Sequence, residues 1–164
     1  MKRASTKSEA KLKYCYEYPR PAVAVDLVVI RWTKSKSNER QRELLLIQRK
    51  HEPFAGCWAL PGGFLDEHET LQQAAARELM EETRVTARKL VPLGAFSAVD
   101  RDPRGRVISF GYATEVSVST RHQAGDDAAA ADWFPISKLP ELAFDHAEII
   151  AVAKKQWRGT TKRH

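Results

Sequence analysis

Apolar residues fall into separate runs along the chain, and their spacing switches between the periods of strands and helices. Residues 22–31 form a nearly continuous valine-rich run, the pattern of a strand buried on both faces. Residues 33–42 are polar and read as a loop, and residues 43–50, around Leu44, Leu45, Leu46 and Ile47, give a second strand. A turn over 53–58 and a short strand over 58–60 deliver Pro61, Gly62 and Gly63. Thr70-Leu71-Gln72-Gln73 then has the form of a capping box: the Thr70 hydroxyl accepts from the Gln73 backbone N–H while Gln73 reaches back to Thr70. The helix it starts is expected to run from Leu71 to Thr83, with Ala76, Leu79, Met80 and Thr83 as its apolar stripe.

Further strands are predicted over 88–99 and 107–118, flanking a charged turn at 100–106. Residues 122–131 have no strand pattern, and 135–139 read as a turn or short helix. Phe144, Asp145 and His146 open a final amphipathic helix carrying Ile149, Ile150, Val152 and Ala153, with Asp145 in position to cap it and His146 read as structural. Strands alternating with helices give an α/β class. Residues 1–13 lack apolar periodicity and read as a disordered basic leader; 14–158 form the domain and 159–164 a basic tail. The aromatic, proline-punctuated stretch 14–21 reads as packing over a sheet edge or as part of a dimer contact.

Composition narrows the class. At 164 residues the chain fits one domain with a sizeable core. It contains no apolar run near the roughly 18 residues that span a membrane and no signal-peptide core after Met1, so a cytoplasmic location is expected. Cys15 and Cys57 have no metal-binding spacing and read as unpaired thiols. The net charge of +6 could indicate a nucleic-acid partner, but Lys2, Arg3, Lys7, Lys11, Lys13, Arg158, Lys162 and Arg163 put much of it near the two ends. A basic surface also steers an anionic phosphate ester.

The helix carries the chemistry. Glu78 and Glu82 fall on one face with Glu81 beside them, and Ala74 and Ala75 next to them are small enough to leave room for ions. Like charges at these spacings destabilise a helix by a few tenths of a kcal/mol each, so a counter-charge from outside is expected. Oxygen-only ligands favour Mg²⁺ or Mn²⁺; a solvated acidic face is the alternative. Gly62 and Gly63 let the backbone approach a metal or phosphate closely. Arg49, Lys50 and His51 follow the second strand, where Arg49 could contact phosphates or lie on the surface.

These residues resemble the signature of the Nudix hydrolases. Gly63, Glu69, Arg77, Glu78, Leu79, Glu81, Glu82 and Val85 match it in type and spacing, and Trp58-Ala59-Leu60-Pro61-Gly62 is similar to the usual approach. Arg84 departs, standing where the family has a glycine that ends the helix in the left-handed region. The resemblance implies an α/β/α sandwich around a mixed, curled sheet, and metal held by Glu78, Glu82, Glu81 and the Gly62 carbonyl. It implies a Glu69–Arg77 salt bridge bracing the loop against the helix, and a further acid or general base from a later loop, for which Asp126 and Asp127 are the candidates. It also implies a tendency to form homodimers.

The segments PRPAV, QRKHEPF, DRDPRGR, GDDA and LAFDH look like the ADP-ribose pyrophosphatase branch, which suggests Arg104 and Arg106 as substrate contacts. The implied activity is metal-dependent hydrolysis of ADP-ribose to AMP and ribose 5-phosphate. One alternative is a sanitising hydrolase of oxidised nucleoside triphosphates. Another is an ADP-ribose sensor: regulators of that kind carry a winged-helix region after the Nudix domain, whereas about 18 residues follow His146 here, which speaks against DNA binding by that route.

Overall fold

The computed structural model describes residues 16–125 and 128–160, the last three by backbone alone. Its framework is β1 (Ala22–Lys34) and β2 (Arg40–Arg49). In β1, Val25, Leu27 and Val29 face one layer while Val28 and Ile30 face the other, so the uninterrupted valine run is buried on both sides. The two strands pair antiparallel from Ile30 opposite Leu44 to Lys34 opposite Arg40. The polar stretch expected to be a loop is therefore half strand, with residues 35–39 forming the turn, in which Asn38 has φ 64°. This hairpin end runs past the core, so its side chains can be polar without being irregular.

Past Ile30 and Leu44 the pair splays, and the next segment enters the fork. There β3 (Trp58–Ala59) pairs with β2, Ile47 opposite Ala59, and β4 (Gly62–Phe64) pairs with β1, Asp26 opposite Gly62. The Leu27 N–H donates to the Pro61 carbonyl at 2.8 Å between them. On its other side β1 runs parallel to β6 (Val107–Glu115), which pairs antiparallel with β5 (Val91–Phe96). The far side of β2 carries β7 (Ala128–Pro135), making a mixed seven-stranded sheet.

Helix α1 (Leu71–Thr83) covers one face of the sheet, packing on Val25, Leu27, Val29 and Leu45. Helix α2 (His146–Thr160) covers the other, with Ile149, Ile150 and Ala153 on Val28, Ile30, Leu44 and Leu46. This is the expected α/β/α layering. The capping box is formed in both directions, Gln73 N–H to Thr70 Oγ1 at 3.3 Å and Thr70 N–H to Gln73 Oε1 at 2.8 Å.

Several expectations need correction. Residues 128–131 belong to β7, although four alanines in succession carry little strand preference; the register along β2 from Glu43 to Arg49 overrides it. The buried stripe of α1 is Ala74, Ala75, Leu79 and Thr83, with Ala76 and Met80 exposed, so Ala74 and Ala75 pack into the core. Tyr16 and Tyr18 are exposed, and Tyr16 lies under the Arg20 guanidinium, 3.8 Å from its ring centre. The expected tail at 159 begins inside α2; its last four residues, the leader 1–13 and Cys15 lie outside the described residues, and Cys57 is a free thiol. Among the described residues no helix is long and apolar enough to cross a membrane.

Candidate active site

The fork between β1 and β2 decides where the chemistry can occur. It brings Gly62 and Gly63 against α1, where the Gly62 N–H donates to Glu82 Oε2 at 2.9 Å. A Cβ on Gly63 would overlap the Glu78 carboxylate, so only glycine lets strand and acid come this close. Glu82 is half-buried, and desolvation, with Glu78 and Asp26 adding like charge, pushes its pKa up to about 8 against the pull of Gly62 and Arg49. Burial also raises Glu78, opposed by Arg77.

Arg77 organises the outer part of this face. Its guanidinium grips both oxygens of Glu69, at 3.0 and 2.6 Å, and donates to Glu78 Oε1, Glu81 Oε2 and the Phe64 carbonyl. These bonds hold Arg77 above its ordinary pKa and Glu69 below its own. Glu81 is the most exposed of the three helix acids and lies outside the pocket that Glu82 lines.

Arg49 and Arg104 line the same pocket as Glu82, Gly62 and Gly63. Burial, then the like charge of Arg104, lowers the Arg49 pKa. Two guanidinium groups fronting one small pocket are matched to an anion. Both lie over Phe144, at 4.9 and 5.7 Å from its ring centre, and Arg104 also faces Phe64 at 5.0 Å. Arg104 is held by both oxygens of Asp102. Burial pushes Asp102 up, but Arg104 outweighs it and keeps the carboxylate low. Arg106 is placed otherwise: it donates to the Ser97 and Ala98 carbonyls, closing the loop, and does not line the pocket. His51 is exposed.

The floor of the pocket holds residues that the sequence reading missed. Asp26, the one acid in the valine run, accepts from Ser109 Oγ and from Arg101 Nη2 at 3.2 Å and lies 3.2 Å from His146 Nε2. Burial would raise its pKa, yet these partners hold it below 3.8. Arg101 reaches both oxygens of Asp145, so the Asp145 carboxylate is turned to Arg101 rather than capping α2. His146 Nδ1 accepts from the Leu60 N–H at 2.9 Å, which ties α2 to the strand that delivers Gly62. The signal was present: a charged residue inside a fully buried strand requires a partner.

The C-terminal end of α1 is fastened by the loop before β7. Gln123 N–H donates to the Thr83 carbonyl and Gly125 N–H to that of Glu82, at 3.0 and 2.9 Å. A Cβ on Gly125 would collide with the Glu81 carbonyl. Asp126 and Asp127 follow directly and lie outside the described residues. Arg84 adopts the left-handed region, φ 59° and ψ 18°, and its N–H still closes the helix on the Met80 carbonyl. Arg84→Gly is therefore expected to stabilise the fold by about 1 kcal/mol; urea denaturation checks this, and no shift in midpoint would contradict it.

The donor set fits a divalent cation. Glu78 and Glu82 offer only oxygen, and Mg²⁺ is commonly held by one or two carboxylates with substrate phosphates and water completing its shell. Among the described residues no group of three acids, histidines or cysteines is placed to hold a metal ion.

Residues 22–153 match the family model described as NUDIX domain. The chain is 45% identical over 133 residues to an ADP-ribose pyrophosphatase of Methanocaldococcus jannaschii, covering 81% of this chain and 73% of that protein. It superposes on the NUDIX domain of Shewanella oneidensis NrtR complexed with ADP ribose at TM-score 0.77 and 30% identity, over 88% of this chain and 94% of that one. A MutT/nudix family protein from Enterococcus faecalis aligns at TM-score 0.77 and 34% identity, over 88% of this chain and 64% of that one.

Proposed function

The chain belongs to the NUDIX family, whose members generally use a divalent metal, and we propose that this hydrolase cleaves the diphosphate of ADP-ribose to give AMP and ribose 5-phosphate. The observation that carries this reading is one pocket lined by two guanidinium groups, Arg49 and Arg104, and by the Glu82 carboxylate, with the Glu78 carboxylate packed against Gly63 of the same lining. Cations at one side suit the substrate's charge, and the carboxylate oxygens at the other suit a metal. The identity to an ADP-ribose pyrophosphatase over most of both chains supports the choice of substrate.

Glu78 and Glu82, with Glu81 and the Gly62 carbonyl as further ligands, would hold Mg²⁺ or Mn²⁺, which when bound neutralises phosphate charge and acts as a Lewis acid. Arg49 and Arg104 bind nonbridging oxygens and orient the diphosphate for in-line attack. Water attacks one phosphorus, its proton passes to a carboxylate, and the bridging P–O bond breaks with the electron pair leaving on the departing phosphate. Glu82 can take that proton through the oxygen that Gly62 does not hold; Asp126 and Asp127, which follow the docked Gly125, are the other acceptors. Glu69 acts only by bracing Arg77. The same reading carries a cytoplasmic homodimer.

The test is a comparison of kcat/KM for ADP-ribose, NADH, a diadenosine polyphosphate and 8-oxo-dGTP. ADP-ribose is expected to lead. A preference for 8-oxo-dGTP with release of pyrophosphate would replace this reading with the sanitising one, and tight ADP-ribose binding without turnover would indicate a sensor.

A further inference from the structure

Leu60 and Pro61 lie between β3 and β4, outside any strand, yet Leu60 is 2% exposed. A buried backbone N–H without a strand partner has to find another acceptor. It finds His146, the first residue of α2 and 86 positions away, whose Nδ1 accepts at 2.9 Å. The next two residues are tied as well: the Pro61 carbonyl accepts from the Leu27 N–H at 2.8 Å, and the Gly62 N–H donates to Glu82 Oε2 at 2.9 Å. Three successive residues thus hang on three elements, α2, β1 and α1, and the last of them holds the acid.

The imidazole is itself fixed. A ring whose Nδ1 accepts carries its proton on Nε2, and Nε2 lies 3.2 Å from Asp26 Oδ1. Asp26 is anchored by Ser109 and Arg101, and Arg101 by Asp145, the residue before His146. The approach to α2 is docked by a further bond, from the Ala143 N–H to the Trp58 carbonyl at 2.8 Å. Gly62 is equally confined: a Cβ there would overlap the Val25 carbonyl and come within 3.0 Å of Asp26 Oδ1. Packed contacts on both sides therefore set where Gly62 stands.

We propose that His146 is a positioning residue for the cation end of the site: by holding the Leu60 N–H it sets the Leu60–Gly62 segment, and with it the Gly62 carbonyl and the Glu82 carboxylate. The inference rests on the reading of Glu82 and Gly62 as metal ligands. A purely structural histidine would affect stability alone; a positioning one affects cation affinity and turnover as well.

His146→Asn and His146→Gln separate the two bonds, because an asparagine oxygen stands in for Nδ1 and a glutamine nitrogen for Nε2. The first keeps the acceptor for Leu60; the second keeps the donor to Asp26 and orphans the Leu60 N–H. Mn²⁺ affinity is read from the electron paramagnetic resonance of the free ion, beside kcat and KM for ADP-ribose and thermal melts. Ile149→Val, a buried truncation in the same helix, controls for lost packing. His146→Gln should weaken Mn²⁺ and lower kcat, each roughly 10- to 100-fold, with KM unchanged. His146→Asn should stay near wild type, and Ile149→Val should lower the melting temperature only. Equal losses in the two His146 variants, no loss in His146→Gln, or as large a loss in Ile149→Val would overturn the proposal. If His146→Gln does not fold, His146→Asn decides: wild-type Mn²⁺ affinity supports the proposal and a loss of about tenfold overturns it. The Mn²⁺ measurement needs no substrate. If it follows the expected pattern while wild type leaves ADP-ribose intact, the positioning role stands and the substrate reading falls; if wild type hydrolyses ADP-ribose and every variant binds Mn²⁺ alike, the positioning role falls alone.

Discussion

Glu82→Gln is expected to lower turnover roughly 100- to 10,000-fold and, in the metal-free protein, to raise stability at the same time. The two effects have one origin. A glutamine at this position can still accept from the Gly62 N–H, so the fork keeps its shape, but it brings no charge for a cation and no basic oxygen for a proton. In the wild type the burial of Glu82 lifts its pKa from 4.5 to about 8. An acid raised on folding costs nothing below its unfolded value and penalises the folded state progressively as pH climbs through its folded value. The neutral amide removes that penalty, worth about 2–4 kcal/mol above pH 8 after allowance for residual solvent contact. Urea melts with chelator at pH 4.5 and pH 8.5 should therefore coincide at the lower pH and separate at the higher, with the variant the more stable. A variant equal in activity to wild type, or destabilised at pH 8.5, would remove Glu82 from its place in the site.

Arg101→Ala should be the most damaging substitution for the fold. It strips the guanidinium from two carboxylates at once, Asp26 and Asp145, where Arg101 is 4% exposed and Asp26 9% by side chain. Breaking a buried pair from one side costs about 3–5 kcal/mol, or roughly 6–20 °C in Tm for a chain of this size. The pH dependence carries a sign. In the wild type Asp26 is held below 3.8, so its contribution is present above that value and is lost only as pH falls through the lower, folded pKa. Without Arg101, burial acts on Asp26 with less opposition and its pKa rises. The variant is then penalised as pH increases, and the gap from wild type should be widest near neutrality and narrow toward pH 4. Thermal melts across that range measure it; a gap independent of pH would mean that lost packing, not an orphaned charge, is the cause.

What the sequence revealed follows from how local each signal is. The capping box and the acid spacing of α1 lie within one helix, and Thr70, Gln73, Glu78 and Glu82 stand where their order in the chain puts them. The phase of the helix is harder to read, because three alanines in a row cannot say which of them faces the core. Glu78 and Glu82 belong to the inward side, beside Ala75 and Leu79, because the site itself lies there. Strand β7 was hidden by its alanines, which are placed by pairing with β2 rather than by their own preference. Hardest to see was the floor of the pocket, since Arg101 is 75 residues from Asp26 and 44 from Asp145. Each residue alone had an ordinary reading, and only the fork between β1 and β2, bridged by His146 and Leu60, brings them together.

One assay bears most directly on the central claim: incubation of the wild-type protein with ADP-ribose, with Mg²⁺ or Mn²⁺ and then with chelator, and chromatography of the products. A site built from these acids and arginines predicts AMP and ribose 5-phosphate in equal amounts with the cation and neither without it. Intact ADP-ribose in the presence of both metals would contradict it.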